Sequence, residues 1–183
     1  LTPAPDGKQA DFYHATNQVL TDAGFEHYEV SNYARYSQGA LQECRHNKHI
    51  WQYGSYIGIG AGAHGRTAQQ DGTLLATRAY KMPEVYLEHV HAQGYGRYEA
   101  VHIPPHEQET EALLLGLRLT EGLPLTRLEA YNNRPWREIL SEDGITLMVN
   151  NGFLNPESLK QNRLKPTPQG LAMLEGVLGY ITR

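Results

Sequence analysis

The chain has 183 residues, 40% hydrophobic and 20% charged, a length that can bury roughly 70% of its unfolded surface and a composition too rich in aromatic and aliphatic residues for disorder. Its net charge of −4 divides evenly, with 8 Lys and Arg against 10 Asp and Glu in residues 1–99 and the same 8 against 10 in residues 100–183, so neither half carries a nucleic-acid footprint. The one cysteine, Cys44, excludes an intrachain disulfide, a Cys-only zinc site and a self-contained iron–sulfur cluster, which needs about four thiolates.

A lone thiol and the lack of any apolar run near the roughly 18 residues of a membrane span indicate a reducing, cytoplasmic setting. The amino terminus, LTPAPDGKQA, has no initiator Met, basic n-region or apolar h-region, and reads as the start of a fragment or processed chain. The first expected element is a helix over about Lys8 to Ala23, with Phe12, Ala15, Val19, Leu20 and Ala23 on one buried stripe, an Asp6/Gln9 capping box and Gly24 as the stop. FEHYEVS, residues 25–31, reads as a strand parallel to an absent partner, the second half of an α/β unit. Residues 32–54 read as irregular and polar, and SYIGIGAGAHG, residues 55–65, as a buried strand ending in a glycine turn. Two strands and a helix cannot close a sheet alone, so this third reads as the end of a larger α/β domain.

A helix is expected from Pro83 to about Gly94, then a connector through residues 94–106. From Pro105 the pattern turns helical: an acidic first turn leads into ALLLGLRL, apolar on nearly every side and expected at the centre of a second core. Thr126 and Glu129 read as a capping box, Arg137 to Asn151 as a third helix, and Phe153-Leu154 with Arg163-Leu164-Lys165 as a small hairpin. Thr167-Pro168 caps a last helix with Leu171, Leu174, Val177 and Leu178 inward. The whole is expected to be an α/β fragment followed by a mainly α, winged-helix-like domain. Glu138, Glu142 and Asp143 stand where a DNA-recognition helix needs positive charge, so that domain is expected to pack or dock rather than bind nucleic acid.

The densest polar constellation is ECRHNKHIW, Glu43 to Trp51. Cys44 and His46 could ligate a soft metal or a haem iron, and Trp51 and Tyr53 could stack on a porphyrin. The plainer reading makes Cys44 a small buried hydrophobe and the histidines surface groups. GIGAGAHG is not a dinucleotide fingerprint, since no strand–turn–helix and no acidic residue follow at the required spacing. Its glycines do permit close approach of a ligand or another backbone. His102 and His106 read as exposed connector residues.

GFEHYEVSNYAR, ECRHN, IGIGAGAH and LLLGLRLTEGL, in this order, resemble the carboxy-terminal part of the HemN/HemW family of radical S-adenosylmethionine proteins. That family holds oxygen-independent coproporphyrinogen III oxidases and HemW-type haem chaperones, and ECRHN favours the second branch. The branch motif HNxxYW reads HNKHIW here: His46, Asn47 and Trp51 match, and Ile50 replaces the tyrosine. The resemblance implies residues 1–75 as the end of the radical-SAM barrel, 76–104 as a connecting helix and linker, and 105–183 as the HemN-type winged-helix-like domain. It implies S-adenosylmethionine and a 4Fe–4S cluster in the parent, held by a CxxxCxxC loop this chain lacks, so the chain alone should be inactive. By motif, Ala34, Gly60, Gly62, Ala63 and His64 would face S-adenosylmethionine, and Cys44, His46, Asn47 and Trp51 would contact haem. Haem or a porphyrin is the implied ligand, with a haem-accepting protein as a partner. Oxidative decarboxylation of coproporphyrinogen III and a non-catalytic interaction module are the alternatives. Open strand edges would favour self-association of the fragment.

Overall fold

The computed structural model describes residues 5–182. Helix α1 (Asp6–Asp22) leads through Gly24, at φ +79°, into β1 (Glu26–Glu29). β1 pairs antiparallel with β2 (Asn32–Ala34), so the strand expected to await a parallel partner instead closes a local hairpin. A second hairpin, β3 (Tyr36–Ser37) with β4 (Ala40–Leu41), turns at Gln38 and Gly39, both at positive φ, as tight hairpins require. With α2 (Arg45–Trp51), these elements order the stretch expected to be irregular.

β5 (His64–Ala68), β6 (Leu74–Ala79) and β7 (Arg97–Ile103) form a three-stranded antiparallel sheet, with α3 (Pro83–Gln93) between the last two strands. Residues 97–103, expected as connector, are therefore a strand, held by pairing with β6 from Ala79 to Leu74. Residues 55–65 are not one continuous strand. Gly60 and Gly62 take φ +103° and +74°, which turns the chain back so that Tyr56 pairs with Arg66. A Cβ at Gly58 would collide with the His64 backbone, so that glycine serves the fold's own close approach. Ile57 and Ile59 are left 75% and 85% exposed.

The helical part comprises α4 (Pro105–Gly116), β8 (Leu123–Pro124), α5 (Leu125–Asn132), α6 (Trp136–Ile139), α7 (Glu142–Asn150), α8 (Pro156–Lys160), β9 (Arg163–Leu164), α9 (Pro168–Ala172) and α10 (Leu174–Ile181). Its core gathers Leu113 and Leu117 around α4, Leu128 of α5, Met148 of α7, Leu164 of β9 and Val177 of α10, all nearly inaccessible. The run ALLLGLRL lies in this core as expected, but the core is not a separate second one: Tyr53 of the first part belongs to the same cluster, with Val30 and Leu74 packed against it. The single helix expected over 137–151 is two: Leu140 is extended, bridges to Thr182, and Ser141 caps α7 by accepting from the Gly144 amide. Thr126 and Glu129 form no capping box, because α5 starts at Leu125 behind Pro124 and Glu129 accepts instead from the Trp136 amide. Thr167 does cap α9, through the Gly170 amide. Leu154 bridges Pro166 and β8 pairs with β9, so the expected small hairpin belongs to a wider pairing.

The two parts meet along a short seam after α4. The Val30 amide donates to the Arg118 carbonyl at 3.0 Å, the Thr120 amide donates to the Tyr28 carbonyl at 3.0 Å, and Glu29 bridges Leu119. α1 docks on the first hairpin through Tyr13, edge-on to His27, and Asn17, which accepts from the Tyr33 hydroxyl. Its expected buried stripe is not buried: Phe12 and Val19 are 62% and 65% exposed, facing away from the hairpin. The expected Asp6/Gln9 cap lies on side chains outside those described.

Candidate functional site

The seam is built around Glu29, a carboxylate with no solvent exposure. It accepts from the Ser31 amide at 3.0 Å, the Ser31 hydroxyl at 3.2 Å, the Asn32 side chain and Arg118 Nε at 2.6 Å. Four hydrogen bonds, one of them from the Arg118 cation, satisfy a charge that would otherwise be prohibitive to bury. Arg118 also lies over the Trp51 indole, 4.4 Å from the ring centroid, a cation–π contact. Asn32 extends the network by accepting from Asn47 at 3.2 Å. Three separated sequence motifs, EVSN, HNKHIW and LRLTE, thus converge on one buried carboxylate.

α2 hangs on this network. The Cys44 amide donates to the Tyr28 hydroxyl at 3.4 Å, and Lys48 bridges Glu43 at 2.7 Å and Glu121 at 2.9 Å. Burial works against the Lys48 ammonium, but its bonds to the two carboxylates outweigh that and raise its pKa. His49 Nε2 sits 2.8 Å from the Ser55 carbonyl oxygen, and its ring occupies the space a Cβ at Gly54 would need.

This geometry divides the residues expected to contact haem. Asn47 and Trp51, one helical turn apart, face the seam and hold the helix in place. Cys44 and His46 are exposed at its first turn, and at about 100° per residue His46 points roughly 140° away from Trp51. Neither Cys44 nor His46 has a side-chain hydrogen bond among the described residues.

A second polar cluster joins the turn after α2 to β5 and α4. The Tyr53 hydroxyl donates to Glu111 at 2.6 Å, and Arg66 grips both Glu111 oxygens at 3.0 and 2.7 Å. Burial is the main cause raising the Tyr53 pKa, and the Glu111 carboxylate it donates to adds to it.

Among the residues expected near S-adenosylmethionine, Gly60, Gly62, Ala63 and His64 form one turn. The Gly62 amide donates to the Tyr80 carbonyl at 2.7 Å, and Ala63 accepts from the Ala79 amide at 2.8 Å. A Cβ at Gly60 would meet nothing within 4 Å, so the turn leaves room beside its backbone. Ala34 lies in the first hairpin opposite Glu26 and is 4% exposed. With one thiol in the chain, and no cluster of three or more metal-ligating side chains among the described residues, these residues do not fit a 4Fe–4S cluster.

Sequence reasoning missed Glu29, Lys48, Arg118 and Glu121. The available signal was charge out of place: a glutamate in an aromatic strand and an arginine inside an apolar helical run.

Comparison with known proteins places this arrangement. Residues 103–173 match the HemN C-terminal domain. A mouse (Mus musculus) protein named radical S-adenosyl methionine domain-containing protein 1, mitochondrial, is 34% identical over 96% of this chain and 40% of its own length. The Heme chaperone HemW of Synechocystis is 36% identical over 82% of this chain and 38% of its own length. The solved structure of the Escherichia coli coproporphyrinogen III oxidase HemN, described as a radical SAM enzyme, superposes with a TM-score of 0.67 at 13% identity, covering 97% of this chain and 41% of that one. The fold is therefore that of the matched 41% of the HemN structure. The chain is thus similar to a part of the HemN/HemW proteins, with the HemN C-terminal domain matched over residues 103–173, and it spans about 40% of the length of the curated relatives it matches.

Proposed function

We propose that this chain is the carboxy-terminal portion of a HemW-type protein that binds haem and passes it to a recipient protein, in a reducing, cytoplasmic compartment. The carrying observation is the first turn of α2, where Cys44 and His46 stand exposed and, among the described residues, without a side-chain hydrogen bond, while Asn47 and Trp51 fix the helix behind them. Thiolate and imidazole are both axial ligands of haem iron. The relatives named as haem chaperones support the reading. On it, S-adenosylmethionine would lie against the Gly60–His64 turn and Ala34, with the cluster held by residues outside this chain.

The same reading treats residues 1–75 as the end of a barrel, 76–104 as a connecting segment and 105–183 as a winged-helix-like domain. α5 and α7 with the β8–β9 pair support the last, whereas β6 crosses residue 75 and joins the first two segments in one sheet. A haemin titration of the chain beside Cys44→Ala and His46→Ala is the test. A saturable Soret band that shifts or disappears in one variant is the expected result, and identical spectra and affinity in all three would refute iron contact at this turn.

A further inference from the structure

A small cavity of about 140 Å³ opens between the turn that follows α4, β8, the start of α5 and β9. Leu123 and Pro124 belong to its apolar wall, and Gln52, Glu121, Arg127 and Arg163 are its polar lining. The volume lies below the roughly 300–1,000 Å³ of pockets for drug-sized ligands, so it suits a group of a few heavy atoms.

The charges on this lining do not balance. Glu121 is already engaged: Oε1 accepts from Gln52 at 2.8 Å and Oε2 pairs with Lys48 at 2.9 Å. Arg163 is half-buried and gives one terminal nitrogen to the Glu121 and Gly122 carbonyls at 3.1 and 3.0 Å. It acts on Glu121 through space, but among the described residues it forms no ion pair, and its other two nitrogens donate to nothing. Arg127, also half-buried, makes no hydrogen bond, ion pair or ring contact among the described residues. It stands in the first turn of α5, which has no acidic residue and no side-chain cap, where the positive end of the helix dipole disfavours a cation. Nothing in the chain compensates this placement, and an anion between the two guanidinium groups would.

We propose that this cavity binds a phosphate group, held between Arg127 and the free nitrogens of Arg163. Guanidinium groups grip oxyanions through paired, charge-assisted hydrogen bonds, and two uncompensated cations call for a divalent anion. The group comes from inorganic phosphate or from a phosphate monoester whose organic part stays outside the cavity. The site uses neither Cys44 nor His46 and is independent of haem binding at that turn.

Isothermal titration calorimetry on the 183-residue chain, with inorganic phosphate as the probe in chloride solution of fixed ionic strength, is the test. The expected result is saturable binding whose Kd rises about tenfold or more in Arg127→Gln and by less than about twofold in Lys81→Gln. Lys81 is exposed and lies outside the lining, so its variant reports the loss of one positive charge alone. Phosphate should also raise the Tm of the unsubstituted chain and leave that of Arg127→Gln unchanged. In phosphate-free buffer Arg127→Gln should unfold at no lower a temperature than the unsubstituted chain, because Arg127 has no partner in the fold. A clear drop there would make Arg127 a structural residue and overturn the proposal. Absence of saturable phosphate binding, equal weakening by Lys81→Gln, or acetate bound as tightly as phosphate would overturn it as well. Glycerol 3-phosphate bound more tightly than inorganic phosphate would support the site as one for a monoester, and the reverse order would support it as one for the free anion.

Discussion

At the scale of single residues, the two carboxylates that organise the molecule sit in different regimes. Glu29 is sealed and fully bonded, and removing one partner of so buried a pair typically costs about 3–5 kcal/mol. Glu111 is only partly covered, and its titration is the more useful probe. Burial pushes its carboxyl up, but the Arg66 and Tyr53 hydrogen bonds and the Arg66 charge outweigh that and leave it below the ordinary glutamate value. A depressed pKa contributes stability that is present above the unfolded value of about 4.3 and is lost as pH falls through the folded one. Glu111→Gln should therefore be less stable than the unsubstituted chain at pH 7, and the gap in urea unfolding should narrow by pH 3; a gap that widens in acid would contradict the arrangement. Tyr53, whose pKa is raised, contributes in the opposite window, below about 10. Neither cluster was legible in the sequence. Glu29 and Arg118 lie 89 positions apart, and periodicity carries no information about such a pairing.

At the scale of elements, what was legible was local. α3 starts at Pro83 and stops where Gly94 takes φ +84°, and α9 starts where the Thr167 hydroxyl caps the Gly170 amide. Such signals need only a few neighbouring residues. The Gly-rich stretch 55–65 misled because an apolar run resembles a buried strand until positive-φ glycines bend it. Strand β7 was missed because only Ile103 at its end is buried, so RYEAVHI lacks a sustained inward face. Glycines also decide how the helices meet. A Cβ at Gly144 of α7 would land on the Tyr180 carbonyl of α10, whereas one at Gly179 would meet open space. Alanine is expected to stabilise at Gly179 by about 0.5–1 kcal/mol. At Gly144 the same substitution should destabilise by about 1–3 kcal/mol, because overpacking outweighs propensity. Thermal unfolding of the two variants separates the effects, and equal shifts would mean that α7 and α10 are not so closely apposed.

At the scale of the whole molecule, the α-rich half owns the main core, while the first half keeps apolar residues at its surface. Ile57 and Ile59 stand beside a groove of about 450 Å³ against α3, and Phe12 and Val19 face outward from α1. Exposed apolar patches and open strand edges promote association. The chain is expected to sediment as concentration-dependent oligomers, and Ile57→Asp with Ile59→Asp should return it to a monomer; a monomer at all concentrations without those substitutions would show that the patch is too small to drive assembly. The seam that joins the halves bears on the order of events during folding. Its contacts close a span of about 90 residues, Glu29 to Arg118 and Tyr28 to Thr120, whereas α4 and α5 meet through neighbours in sequence. Non-local contacts must first overcome loop-closure entropy, so the helical half is expected to gain structure early and the first hairpin to dock afterwards, an order that pulsed hydrogen exchange during refolding would check by earlier protection of α4 and α5 than of β1 and β2. α2 would then reach its working position only in that last step, which makes the helix bearing Cys44 and His46 the latest part of the chain to mature.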